Sequence, residues 1–166
     1  MEILDFIKPI HIDCHKLCIL VLNKYLPVAG NLGIFTHSED EYKRLIELSK
    51  RLTKPTNNPN QKYFELFQPI TVGEEGNTPE ATYTNLYIRK PDYTDYGKYQ
   101  GDVDFILSTE DYEKLKLSVL KGDCANGATL YDRPGWDTVQ LVSKEIASVA
   151  YVCTKEFSEK VRIKFN

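Results

Sequence analysis

Short runs in which apolar and polar residues alternate are separated by stretches in which apolar residues return every three or four positions, so the chain reads as strands punctuated by helices. Gly30–Phe35 places Leu32 and Ile34 on one side of an extended run. Ser38 then stands before the acidic residues Glu39, Asp40 and Glu41, the signature of a capped helix start, and Ser38 with Glu41 fits a capping box. Tyr42, Leu45, Ile46, Leu48 and Leu52 follow at helical spacing before Pro55 stops the run. Two extended runs come next, Tyr63–Val72 and Ala81–Lys90, divided by a polar, Gly-bearing turn. Ahead of all this, Ile10–Leu26 is apolar and free of Gly and Pro, which predicts a helix.

The pattern then repeats. Gly30–Asp40 aligns without gaps on Gly101–Asp111, a strand followed by a helix start in both cases, with Thr109 in the place of Ser38 as the expected cap. Tyr112, Leu115 and Val119 form the second helical stripe, ended by Gly122. The extended runs Ala128–Arg133 and Thr138–Val142 follow, with Ser148–Thr154 as a final strand. The expected fold is therefore α+β, two βαββ(β)-type modules and an N-terminal helix in one globular domain. Residues 1–29 form the helical extension, 30–91 the first module, 92–100 a linker loop, and 101–166 the second module with a C-terminal tail.

Composition narrows the function classes. The 166 residues suffice for one domain with a sizeable core. A net charge of −3 with Lys and Glu interspersed offers no basic face, so a nucleic-acid partner is not expected. The longest apolar stretch, Leu17–Leu22, is far shorter than the roughly 20 residues needed to span a bilayer. The first residues show no basic segment ahead of an apolar one, and the expectation is a cytoplasmic protein without membrane partners. Cys14, Cys18, Cys124 and Cys153 show no framework spacing and are expected to be free thiols.

The duplicated module resembles the vicinal oxygen chelate superfamily, which includes glyoxalase I, the extradiol dioxygenases and the fosfomycin- and bleomycin-resistance proteins. The resemblance covers about residues 30 to 154, and the order of Gly30–Ser38, a helix, Tyr63–Val72, Asn85–Pro91, a Tyr-rich loop and Asp102–Leu107 is most similar to its YecM-type branch. It implies an open, curled mixed sheet with helices on the convex face and a concave face that often holds a divalent metal. His, Gln or Glu ligands from the first and last strand of each module hold that metal in the superfamily. Here those positions fall near Asn31, Asp102, Arg89 and Gln140, and none is His. No cofactor is expected; a divalent ion held by Asp102 and Asp104 is the alternative.

Strand parity places the aliphatic residues Leu32, Ile34, Leu86, Ile88, Val103, Phe105, Val139 and Leu141 under the helices. The other face then presents Asn31, Phe35, Asn85, Tyr87, Arg89, Asp102, Asp104, Ile106, Thr138 and Gln140 to the cleft between modules. Buried polar groups need partners, so this set either pairs internally or meets a ligand. In the structural reading, Arg89 forms an ion pair with Asp102 or Asp104. In the functional reading, Arg89 anchors a carboxylate or phosphate, Tyr87 donates a hydrogen bond, and Asp102 or Asp104 is the candidate general base. Asn31, Tyr87, Arg89, Asp102, Asp104 and Gln140 are accordingly the expected ligand-binding residues.

His11, Cys14, His15 and Cys18 lie on one helical face, but a rise of about 1.5 Å per residue separates the outer two by roughly 10 Å, so core packing is the expected role. The loop Pro91–Gln100 sets three tyrosines beside the cleft, as recognition elements or as a cover for apolar surface. Trp136 either lines the cleft or caps the core. The function expected from these features is binding of a small, anionic molecule in the inter-module cleft, with a lyase or isomerase as its catalytic form. The alternative is a non-catalytic module that forms a homodimer or binds another protein.

Overall fold

The structure is a computed structural model and describes residues 2–164. Residue 1 and residues 165–166, at the ends of the 1–29 and 101–166 segments, lie outside the described residues. The fold is α+β. Helix α1 (Ile3–Leu17) precedes β1 (Val28–Phe35), α2 (Glu39–Leu52), β2 (Phe64–Val72), β3 (Ala81–Arg89), β4 (Gly101–Leu107), α3 (Thr109–Lys121), β5 (Ala128–Arg133), β6 (Trp136–Leu141), β7 (Val149–Thr154) and α4 (Lys155–Lys160).

All seven strands belong to one open mixed sheet in the order β2-β3-β1-β4-β7-β6-β5. The first strands of the two modules, β1 and β4, run antiparallel at its centre, with Leu32 opposite Val103 and Gly33 opposite Asp102. Each has a parallel partner on its outer side: Tyr87 of β3 lies beside Gly33, and Tyr151 of β7 beside Asp104. The halves are thus related by an approximate two-fold axis between β1 and β4. The second half alone adds an outer strand, β5, which forms a hairpin with β6 through Gly135 at φ +84°.

Apolar parity sets the faces. Leu32, Ile34, Leu86, Val103, Phe105, Val139, Leu141 and Val152 are all buried in the core, each contributing on the order of 1.5–3 kcal/mol. Helices α1, α2 and α3 cover this face, α1 running over β4, β7 and β1. Ser38 accepts a hydrogen bond from Glu41 N–H and starts α2, while the Glu41 carboxylate accepts from the His37 amide, one residue before the cap. The second cap is Ser108, which accepts from Asp111 N–H, and not Thr109, which is already the first helical residue.

Two further departures from the expected elements have local causes. Helix α1 begins at Ile3, not Ile10, and contains Pro9; a capping box between Glu2 and Asp5 nucleates it, and Ile3, Ile7 and Ile10 drive its burial. It continues as a wider π-turn through Cys18–Leu22 and ends at Asn23 in the left-handed region. In β3, Ala81 and Tyr83 are buried before the slip and Leu86 and Ile88 after it, a one-residue change of parity at Thr84–Asn85 that turns the Tyr83 hydroxyl to His11 Nδ1 at 2.8 Å. His11, Cys14, His15 and Cys18 are all buried in the core, with the His15 ring 5.1 Å from that of Phe105.

The chain end does what the sequence pattern left undescribed. Thr154 caps α4, which packs on β1, β4 and β7. Ser158 carbonyl accepts from the Asn31 amide on the face opposite α1. Beyond it the backbone joins the segment ahead of β2: Lys62 and Tyr63 N–H both donate to Arg162 carbonyl, and Lys164 N–H to Asn60 carbonyl. This strap links the two modules across the concave face.

Candidate functional site in the inter-module cleft

On that face lies a cleft of about 470 Å³, within the roughly 300–1,000 Å³ range of small-molecule sites. Its floor is β4. Asp102 and Asp104, two residues apart and so on the same face, both point into it, each only 6% exposed. The space for Asp102 exists because residue 33 is glycine: a Cβ there would stand 2.3 Å from Asp102 Oδ1. Tyr63 donates a 3.3 Å hydrogen bond to the same oxygen. Asp104 Oδ2 accepts from Asn31 Nδ2 at 2.9 Å, and the Asn31 carbonyl oxygen in turn accepts from Arg162 Nε at 2.8 Å. The positive charge nearest Asp104 in this chain of bonds is therefore one residue removed.

Burial shifts both carboxyls. Loss of hydration lifts Asp104 to about 7, the neighbouring Asp102 charge adding to the effect and Asn31, Lys62 and Arg162 opposing it. Asp102 is raised for the same first reason, against the pull of Lys62, Tyr63 and Arg89.

The walls carry positive charge on one side. Lys62 Nζ sits 5.4 and 5.2 Å from the ring centroids of Tyr63 and Tyr87, and among the described residues no carboxylate is within ion-pair distance of it. The Arg89 guanidinium lies against the touching rings of Phe35 and Tyr96, 5.1 and 4.7 Å from their centroids. Its Nη2 donates to Asp92 at 2.6 Å, while its buried Nε has no hydrogen-bond partner among the described residues. The ion pair that Arg89 makes is thus with Asp92 in the linker, and not with Asp102 or Asp104 as in the structural reading. The Asp92 carboxylate is held down at about 2 by hydrogen bonds from Thr94 and then from Arg89.

Tyrosine hydroxyls line the middle. Tyr96 and Tyr151 share a hydrogen bond of 2.5 Å, and Gln140 Nε2 donates to Tyr151 at 3.2 Å. Aromatic rings close the far side, where Trp136 stacks on Phe157 at 5.4 Å and lies 5.8 Å from Tyr131.

Of the residues expected in the site, Tyr87, Arg89, Asp102, Asp104 and Gln140 meet in this one cleft. Asn31 is fully buried beneath it and reaches it only through Asp104. Gln140 needs a correction of strand: the partner of β4 is β7, so the closing-strand position of the second module is Tyr151, and Gln140 stands one strand further out. Of the linker tyrosines, Tyr96 lines the cleft, whereas Tyr93 is 85% exposed. Trp136 lines the cleft. Lys62, Tyr63, Tyr131, Tyr151 and Phe157 line the cleft without having been expected there, and Arg162 supports it from beneath through Asn31. The alternation Ala150, Tyr151, Val152 was a usable signal for Tyr151; the tail residues carried none.

The superfamily's metal does not fit these side chains. The Asn31 oxygen is taken by Arg162, Arg89 brings a fixed positive charge, and Gln140 is turned to Tyr151. Among the described residues no group of three or more His, Cys, Asp or Glu is placed to hold an ion. Nor, among them, is any helix long and apolar enough to cross a membrane.

No protein-family model and no curated protein matches the chain. A solved structure described as "Structural Genomics, Protein EC4020" shares its fold, with a TM-score of 0.54 and 11% identity over 94% of this chain and 91% of that one.

Proposed function

We propose that the cleft binds a small organic anion and passes a proton to or from it, in a reaction of the isomerase or lyase type. The observation that carries this reading is the pairing of a cationic wall, Lys62 with Arg89, and a buried carboxyl lifted to about 7, Asp104, in one cavity of ligand size. An anion anchored by Lys62 and Arg89 lies over the aspartates. Asp104, populated in both forms near neutral pH, is suited to give and to take a proton. Tyr87, Tyr96 and Tyr151 offer hydroxyls for a polar group on the ligand, and burial raises all three, keeping them protonated donors. The likeness to the vicinal oxygen chelate architecture supports the choice of the cleft, and the chemistry rests on the residues present.

Thermal-shift titration with inorganic phosphate and short carboxylates tests it, on the wild type and Lys62→Gln. Stabilisation is expected in the wild type and at least a tenfold weaker apparent affinity in the variant. Because an ionised Asp104 repels the ligand, affinity should fall as pH rises through about 7. Stabilisation by neither kind of anion, or stabilisation indifferent to Lys62, would sink the reading.

A further inference from the structure

The cleft has two unlike ends, and strand register sets them apart. Arg89 lies beside Phe35, level with the start of β4, because Ile34 faces Gly101. Trp136 lies beyond Val139, which pairs with Val152, itself level with Phe105, so Trp136 is level with the end of β4. The cationic end and the aromatic end are thus separated both across the sheet and along the strands, with Asp102 and Asp104 between them. Two parts of the aromatic end have no counterpart in the first module: β5, which supplies Tyr131 and forms a hairpin with β6 and its Trp136, and α4, which supplies Phe157. Trp136 and Phe157 are stacked with an interplanar angle of 27° and are only partly buried, Tyr131 is 38% exposed, and all three face the cavity.

We infer that the ligand is an elongated anion with an aromatic ring at the end remote from its charge. This rests on the anion-binding reading and adds a second anchor to it: the carboxylate or phosphate at Lys62 and Arg89, the ring against Trp136, Phe157 and Tyr131. A planar ring gains from both area burial and ring stacking. A saturated group of similar size gains only the first, which gives the site a preference for aromatic over aliphatic tails. The carboxyl pair lies under the part of the ligand between the two anchors, where the proton transfer acts.

Trp136 is the sole tryptophan of the chain, so its fluorescence reports on this end alone. The probes are phenylacetate, 3-phenylpropionate, 4-phenylbutyrate and 6-phenylhexanoate, each against the unsubstituted alkanoate of the same chain length, with 4-phenylbutylamine as the opposite charge. Calorimetry gives affinity and Trp136 emission gives position. At least one phenyl acid should bind about tenfold more tightly than its alkanoate and change the emission, and the amine should bind more weakly than the matching acid. Phe157→Leu, and separately Trp136→Phe read by calorimetry, should reduce the ring's advantage while leaving alkanoate affinity within about twofold. Should the alkanoates and phosphate bind through Lys62 with no gain from a ring, the aromatic anchor is wrong and the anion site stands. Binding of no acid overturns both, and tighter binding of the amine overturns the assignment of charge.

Discussion

At matching places on their first strands, β1 carries Asn31 and Gly33 where β4 carries Asp102 and Asp104, and on the strands beside them Tyr87 answers to Tyr151. The two modules bring the same backbone to the cleft and different chemistry. The first supplies room and positive charge: the missing side chain of Gly33, Lys62 ahead of β2, Arg89 at the end of β3. The second supplies the carboxyls and the aromatic wall. A symmetric pair of modules would have put a side chain at residue 33 against Asp102. Departure from symmetry is therefore what opens the floor and lets two carboxyls occupy it.

The sharpest way to break this comparison is to restore the side chain at residue 33. Gly33→Ala puts a Cβ 2.3 Å from Asp102 Oδ1, and because that carboxyl is buried and held by Tyr63 it cannot swing to water. A loss of about 1–3 kcal/mol in denaturant unfolding is expected, together with loss of anion binding. Next in size is the charge on the floor. Asp104 is raised from its ordinary value in the folded state, so the folded protein binds the proton more tightly than the unfolded chain. The stability this confers is complete below about pH 4 and is lost as pH rises through about 7. Asp104→Asn keeps the shape and removes that carboxyl's titration, so it should gain on the order of 1–3 kcal/mol over the wild type at pH 8 and reduce the pH dependence between 4 and 8, leaving the share due to Asp102. Urea melts across that range measure both.

Smaller effects refine the picture. Tyr151→Phe removes the hydroxyl shared with Tyr96 and Gln140, at a cost of about 1 kcal/mol, whereas Tyr87→Phe removes a hydroxyl for which no hydrogen bond within the protein is described and should stay within about 0.5 kcal/mol. The contrast between these matched tyrosines, read in the same melts, tests whether the second module's hydroxyl is structural and the first module's is kept for a ligand. Lys62→Gln should change stability least, within about 0.5 kcal/mol, since its ammonium makes no ion pair among the described residues.

Much of this was legible along the chain. The gapless match of Gly30–Asp40 to Gly101–Asp111 carried the two modules, and alternation in Leu32/Ile34 and Val103/Phe105 settled which face meets the helices, and so which residues meet the cleft. Alternation failed where the backbone itself slips: Tyr83 reaches His11 because β3 changes parity at Thr84–Asn85, and no residue type there announces it. The order of strands was also hidden, which is why Gln140, and not Tyr151 on β7, reads as the closing-strand position of the second module. Phe157 reaches the cleft from α4, and Arg162 reaches Asn31 beneath it from the tail that folds back onto residues 60–63, tertiary contacts with no periodic signal. Arg89 chose Asp92, three residues on, because a local turn held by Thr94 presents that carboxylate at no cost in chain ordering.

Asp104, lifted by burial to about 7 beneath the wall of Lys62 and Arg89, is the group on which the proposed function stands. Carbon-13 NMR titration of the aspartate side-chain carboxyls, with Asp104→Asn to assign the resonance, measures that directly. A midpoint near 7 for Asp104, moving upward when phosphate or a carboxylate occupies the cleft, is the predicted result. A midpoint below about 4.5, unchanged by either anion, would contradict it.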